Sequence, residues 1–290
     1  MHKPVLLHEV LEYLHPQPNE NAIDATINGG GHAEPMLEAI APRGKLLGID
    51  RDPSILKETK ERLKKFGDRA ILAEGNFANI ATIAEDAGVL HPSCILFDLG
   101  FSSYHLAPAK RGFSFLEDAP LDMRYNRQDS SCTAEALINH AIPEELERIF
   151  KTYGEERNAG RIAELIVRER KHRRIQTAKD LATLIANNFP RDRLHPATKV
   201  FQALRIAVND ELTHIERGIR DALLLLAPGG RLAIISYHSL EDRIVKYFFR
   251  SQKETLAILT PKPVAPSREE IAQNPRARSA KLRAAQKKVV

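Results

Sequence analysis

The sequence predicts an α/β protein with a parallel sheet, interrupted in its middle by a helical insertion. Three observations predict it. Short apolar runs alternate with amphipathic stretches over the first hundred residues and again near the end of the chain. A glycine-rich turn follows the first apolar run, and an acidic residue closes the second. Between about 106 and 196 no convincing buried strand is found.

The elements follow in order. Residues 22–26 read as the first strand, and Asn28-Gly29-Gly30-Gly31 as the turn after it. A helix over 33–40 leads to a second strand at 45–49, which ends at Asp50. Residues 54–66 read as a helix because Ile55, Thr59, Leu63 and Phe66 share one face. A third strand at 70–73, a helix at 80–87 and a buried strand at 94–97, ending at Asp98, complete the first part. Segments 134–139, 143–150, 159–171 and 178–187 read as the helices of the insertion. The strand pattern returns with a helix at 213–226, the turn Pro228-Gly229-Gly230 and a strand at 231–236. The expected organisation is a Rossmann-like core built from 1–105 and 197–290, with the helical insertion at 106–196. The tail from about 261 is rich in Pro, Arg and Lys, and is expected to lie on the surface and to order on an acidic polymer.

Composition narrows the classes. With 290 residues, 43% of them hydrophobic, the chain can build a real core in one large domain or two smaller ones. A net charge of +5 favours acidic partners such as nucleic acid. The charge is concentrated in Arg168, Arg170, Lys171, Arg173 and Arg174, and in the tail cations Arg276, Arg278, Lys281, Arg283, Lys287 and Lys288. A solvated helix face accounts for the first group, whereas the tail is the better candidate for phosphate contact. Cys94 and Cys132 form no CxxC, and no cysteine–histidine set has zinc spacing, so neither a disulfide scaffold nor a bound metal is expected. Glu9 and Glu12 break the first apolar stretch, which therefore lacks a secretory core. The apolar run at 222–227 falls far short of the ~20 residues of a membrane span. A cytoplasmic protein without membrane contact is the expectation.

Three segments could carry chemistry. Glycines at 29, 30 and 31 let the backbone approach a ligand and adopt positive φ. Asp50 follows Gly30 by 50 − 30 = 20 residues, where a Rossmann-type fold sets a carboxylate on a ribose hydroxyl pair. A plain strand–helix turn with a surface aspartate would give the same pattern. The dinucleotide motif GxGxxG fails, with Glu34 in the last position when counted from Gly29, and His32 and Pro35 when counted from Gly30. S-adenosylmethionine carries no phosphate and suits the loop better than a nicotinamide dinucleotide, which leaves a dehydrogenase as the weaker alternative. Asp98-Leu99-Gly100-Phe101-Ser102-Ser103 and the segment from Ser236 to Arg243 both follow strands, at the carboxyl edge where open α/β sheets bind ligands. Ordinary roles compete there, since Asp98 would serve as a helix cap and His238 as a satisfied structural histidine. Arg111-Gly112-Phe113-Ser114-Phe115 and Leu121-Asp122-Met123-Arg124 read as a packed loop at the start of the insertion.

Longer motifs carry a family resemblance. HKPVLLHEVLEYL, IDATINGGGH, GIDRDP, GNF, ILFDLGFSSYHL, RGFSF, PLDMR, YGEERNAGRIA, HPATKVFQALRIAVNDEL, APGGRLAIISYHSLEDRIVK and NPRARSAKLR run in order over essentially the whole chain. Together they resemble the bacterial 16S ribosomal RNA cytosine-N4 methyltransferases, the MraW type. The resemblance implies a Rossmann-like S-adenosylmethionine methyltransferase core, with the insertion recognising substrate. It implies methylation of the N4 amine of a cytidine in the decoding region. By matching position, Gly30, Gly31 and His32 would contact the cofactor, Asp50 would hold its ribose and Phe77 would flank the adenine. Asp98 would lie beside the adenine or the reacting end. The implied partner is 16S rRNA within the small subunit, with no protein partner required and a homodimer left open. Three positions depart from the family. Asn28 stands where it has glycine, His105 where it has a cofactor-contacting glutamine, and Tyr237 where it has phenylalanine. Asp98 is the first candidate to accept the N4 proton, followed by His238 and Asp242. A non-catalytic RNA-binding relative, or transfer to another nucleobase, are the alternatives.

Overall fold

The computed structural model describes residues 3–99, 111–115, 118–127, 132–191 and 194–289. The chain divides into two compact units, Met1–Phe101 with Leu212–Val290, and Ser102–Glu211. In chain order the elements are α1 (Leu7–Leu14), β1 (Ala22–Asp24), α2 (Ala33–Ala39), β2 (Leu46–Asp50), α3 (Pro53–Leu63), β3 (Ala70–Glu74), α4 (Ile80–Asp86) and β4 (Cys94–Asp98). The midsection follows with α5 (Ala134–His140), α6 (Pro143–Gly154), α7 (Ala159–Glu169), α8 (Ala178–Asn188) and α9 (Thr198–Asn209). The chain then returns through α10 (Glu211–Leu225), β5 (Arg231–Ser236), α11 (Ser239–Ser251), β6 (Leu256–Ile258), α12 (Arg268–Gln273) and β7 (Lys281–Lys287).

In the first unit one sheet runs in the order β3-β2-β1-β4-β5-β7-β6. The first five strands are parallel, and β7 runs antiparallel to both of its neighbours. β1, β2 and β4 are near-continuous apolar runs because helices cover both faces of a parallel sheet. Val10, Leu14, Leu37 and Ile40 fill one layer, and Ile80, Ile219, Val245 and Phe249 the other. Local signals set the helix starts. Asp52 accepts from the Ser54 amide with proline next in line, which fixes the start of α3. This topology brings Asp24, Asp50 and Asp98 to the carboxyl ends of three adjacent strands.

The tail differs from expectation. It is not a surface arm: β7 inserts between β5 and β6, pairing Ser236 with Lys281 through to Arg231 with Gln286. Small apolar side chains allow this, with Leu282 and Ala284 in one layer and Ala285 in the other. Its cations are used internally. Arg283 donates to Asp242 from Nε at 2.6 Å and from Nη2 at 3.3 Å, and Lys281 lies 3.6 Å from the same carboxylate. Lys287 donates to the carbonyls of Leu223 and Leu226 at the end of α10, where a cation meets the negative pole of a helix. Lys288 donates to the Lys253 carbonyl. Lys281, Arg283 and Lys287 thus have partners within the protein, and a strand of the sheet stands where a solvated basic arm was expected.

The second unit is helical, and among its described residues there is no strand. α9 differs from the sequence reading, which placed it in the core. It packs on α6, and Val200, Ala203 and Leu204 share a buried cluster with Leu146 and Phe150. Gly154 permits the close crossing, since a Cβ there would lie 2.6 Å from the Lys199 carbonyl. The basic group at 168–174 is partly tied down: Arg170 donates to the Ile138 carbonyl, Arg173 pairs with Asp180 and Arg174 with Glu135. Among the described residues no helix is long and apolar enough to cross a membrane.

Candidate active site

The turn after β1 is shaped by its backbone. Gly30 sits at φ +73°, where a Cβ would also meet Thr59 at 3.2 Å. Asn28 adopts φ +46°, a region asparagine tolerates better than most residues. Its amide donates to Asp50 Oδ2 at 3.2 Å and its side chain to the Thr26 carbonyl at 3.0 Å. The departure from glycine at this position therefore leaves the turn formed and adds a hydrogen bond to it. At Gly31 a Cβ would meet Pro4 at 3.2 Å, so the glycine lets the N-terminal segment lie close. His32 is buried beneath that segment and hydrogen-bonds the Val5 carbonyl through Nε2 at 2.9 Å. Its Nδ1 lies 3.8 Å from Asp98 Oδ2.

Three carboxylates crowd this edge. Asp24 is 1% exposed, and burial pushes its pKa to about 8 although the Thr26 amide donates to it. Asp98 and Asp50 repel its charge further. Burial likewise lifts Asp50 to about 7, against the Asp52 amide that donates to it. Asp98 is buried too, and its Oδ1 accepts from the Tyr237 hydroxyl at 2.9 Å. Its backbone amide donates to Thr26 Oγ1 at 2.6 Å. A cation brought to this edge would favour the ionised carboxyls, whereas a phosphate would drive them further toward the neutral form. S-adenosylmethionine, with its sulfonium and ammonium, fits that edge. A dinucleotide does not.

Phe77 is partly buried, with its ring edge-on to Phe97 at 5.6 Å. Gly218 makes room for it, since a Cβ there would lie 2.8 Å from the ring. The ring is thus held in place with part of its surface accessible, as a flat heteroaromatic neighbour requires.

The other two candidates for proton transfer have structural partners. His238 is the N-cap of α11: Nδ1 accepts from the Glu241 amide, while Glu241 reaches back to the His238 amide. Glu241 also accepts from the Tyr237 amide at 2.7 Å. Burial works against ionisation of Asp242, but Arg283 and then Lys281 hold its carboxyl below the usual range. His105 lies outside the described residues. The structure thus gathers Gly30, Gly31, His32, Asp50 and Asp98 at one edge, while Asp242 faces β7. Sequence reasoning missed the Tyr237–Asp98 bond and the burial of Asp24. The place of Tyr237, directly after a strand at this edge, was the available signal.

The raised carboxyls make stability depend on pH in a stated direction. A carboxyl whose pKa is higher in the folded than in the unfolded chain stabilises the fold below the unfolded value of ~3.9, and loses that contribution as pH rises through its folded value. The folded values are about 8 for Asp24 and about 7 for Asp50. The cofactor-free protein is expected to melt at falling temperature between about pH 5 and about pH 8.5, with Asp24→Asn flattening the profile. Scanning calorimetry in the two forms checks it. An unchanged slope in the variant would remove Asp24 as the source.

A parallel sheet closed by an antiparallel strand pair, with a glycine turn and a buried acidic edge, defines a Rossmann-like methyltransferase core. The MraW methylase family matches residues 1–288. The ribosomal RNA small subunit methyltransferase H of Syntrophotalea carbinolica is 49% identical, over 98% of this chain and 96% of that protein. That of Geobacter sulfurreducens is 48% identical, over 99% and 98%. An rRNA methylase from Streptococcus thermophilus, a solved structure, is 13% identical with a TM-score of 0.45, covering 99% of each chain. The chain belongs to the MraW methylase family. It is a methyltransferase, and its cofactor is S-adenosylmethionine.

Proposed function

We propose that the protein methylates the N4 amine of a cytidine in the decoding region of 16S ribosomal RNA, in the cytoplasm and within the small subunit. The observation that carries the chemistry is Asp98, a buried carboxylate at the end of β4 with one oxygen held by Tyr237. The relatives' name, ribosomal RNA small subunit methyltransferase, supports the substrate class.

S-adenosylmethionine supplies an electrophilic methyl group on a sulfonium. The cytosine amine is a weak nucleophile because its lone pair feeds the ring, so the chain's contribution is alignment and proton removal. Alignment of this kind contributes ~7–11 kcal/mol in favourable cases. Asp98 would accept a hydrogen bond from the amine and take its proton as nitrogen gains the methyl carbon, whose bond to sulfur breaks to leave a neutral thioether. Tyr237 keeps that carboxylate oriented. Gly30, Gly31 and His32 line the cofactor's side of the edge, Asp50 holds the ribose and Phe77 flanks the adenine. His105 stands where the family's glutamine would meet the cofactor. Asp242 is paired with Arg283 and His238 caps α11 through Nδ1, so Asp98 stands first among the three as the acceptor. The target base must leave its stack, at a cost of a few kcal/mol.

The test is transfer from labelled S-adenosylmethionine to small ribosomal subunits taken from cells lacking this protein, followed by nucleoside analysis. New N4-methylcytidine is the expected product. Label in another nucleoside would move the acceptor. No transfer by folded protein that still binds RNA would mark a non-catalytic relative.

A further inference from the structure

The outer face of α11 has no part in the chemistry above. Arg243, Lys246, Tyr247 and Arg250 fall at i, i+3, i+4 and i+7, on one side of the helix, and Lys253 follows just past its end. The opposite side is buried through Val245 and Phe249. Tyr247 is 58% exposed, and among the described residues it is the only exposed phenylalanine or tyrosine. The Lys246 ammonium lies 5.8 Å from its ring centroid. The acids of the helix are engaged elsewhere than at Lys246 and Arg250: Glu241 is buried at the cap and Asp242 is paired with Arg283. Glu254, just past the helix, is an exposed carboxylate. Among the described residues Lys246, Arg250 and Lys253 form no ion pair.

α3 shows the contrast. At its end Arg62 pairs with Glu34 at 2.9 Å, and just past it Lys65 pairs with Glu34 at 2.7 Å and Lys64 with Glu61 at 3.8 Å. Lys57 and Lys60, on α3 itself, are exposed and form no ion pair among the described residues, but no exposed aromatic ring stands beside them as Tyr247 stands beside Lys246 and Arg250.

We infer that this face of α11 binds the sugar–phosphate backbone of single-stranded substrate RNA, with one base stacked on Tyr247. The inference rests on the RNA methyltransferase reading and extends it to a surface. Cations interleaved with an exposed aromatic ring suit single strands, whose phosphates follow the charge and whose bases stack on the ring. A lone exposed tyrosine gives a lipid surface too little apolar area. The location fits as well. α11 begins at the residue after His238, directly beyond the β5 end where Tyr237 holds Asp98. From Arg243 to Arg250 the stripe covers about 10 Å of helix. A strand that delivers its base to the acidic edge would continue along it.

The probe is a fluorescein-labelled single-stranded RNA 20-mer, followed by anisotropy over a salt series. Lys246→Glu with Arg250→Glu is expected to raise Kd at least about tenfold and to flatten the dependence of log Kd on log salt by ~0.7 per cation removed. Tyr247→Leu is expected to raise Kd about fivefold or more while leaving the salt slope unchanged. Lys57→Glu with Lys60→Glu on α3 serves as the control and should bind as the parent does. On small subunits the α11 variants should raise KM and leave kcat and cofactor affinity alone. Parental Kd and salt slope in the folded double variant would overturn the inference. Absence of methyl transfer by the parent protein would instead sink the functional reading, and anisotropy would still decide the surface.

Discussion

Asp98→Asn is expected to lower the single-turnover rate of methyl transfer by about 10²–10⁴, the range for losing a positioned acid–base group. Cofactor affinity should change far less. Asparagine keeps the size of aspartate, and its carbonyl oxygen still accepts from the Tyr237 hydroxyl, now 2.9 Å from Oδ1. The backbone bond from residue 98 to Thr26 Oγ1 is independent of the side chain. On the other branch, His32 uses Nε2 to donate to the Val5 carbonyl, which leaves Nδ1 as an acceptor 3.8 Å from Oδ2. An amide nitrogen in place of Oδ2 would meet that acceptor favourably. The fold is therefore retained while the proton acceptor is lost. Tyr237→Phe separates orientation from chemistry. Phenylalanine keeps the ring and removes the donor that orients the carboxylate, so a smaller fall in the single-turnover rate than that of Asp98→Asn is expected, with cofactor affinity unchanged. Full turnover by Asp98→Asn with unchanged cofactor affinity would exclude Asp98 as the acceptor.

Asn209→Ala is expected to destabilise the helical unit strongly. Asn209 is 4% exposed and makes three bonds that no other side chain could replace. It accepts from the Tyr125 amide at 2.9 Å and donates to the carbonyls of Met123 at 2.7 Å and Arg205 at 2.9 Å. Met123 sits at φ +61°, a conformation that an unbranched non-glycine residue holds only when its neighbours impose it. Next to it Glu211 accepts from the Tyr125 hydroxyl at 2.8 Å and takes both arms of Arg205, at 2.9 and 3.0 Å. Alanine would strand a buried amide and a buried carbonyl, at about 1–3 kcal/mol each, so a loss of about 3 kcal/mol is expected. Urea unfolding measures the loss, and limited proteolysis should cut first between 118 and 127. A variant within about 0.5 kcal/mol of the parent would mean that the loop does not depend on Asn209.

What was legible in the sequence follows from where the information lies. AID, LLGID and CILFD announce strands because a sheet covered on both faces needs unbroken apolar runs, and their own residues supply it. Asp50 was legible because a turn and the next strand are close in sequence. β7 was not, since KLRAAQK reads as a solvated basic tail until β5 is placed beside it. The burial of Arg283 depends on Asp242, 41 residues away. The Tyr237–Asp98 bond spans 139 residues. α9 was misplaced for the same reason: its amphipathic face is plain, but the choice of partner is made by the shape of α6 at Gly154. Local spacing reveals the elements and the single-residue ends of strands. The pairings that tune Asp98 and close the sheet are tertiary.

The Asn209 clamp has a kinetic consequence. β4 and β5 are neighbours in the sheet, yet the whole helical unit is spliced between them. If that stretch were still unfolded, joining the two strands would mean closing a long, floppy loop, with its entropic cost. Helical segments with sequence-local contacts form early, and Asn209 then ties the far end of the splice to residues 123 and 125 near its start. The pre-folded splice shortens the effective tether between the two halves of the sheet. Weakening the clamp should therefore slow the refolding of a sheet to which none of its residues belongs.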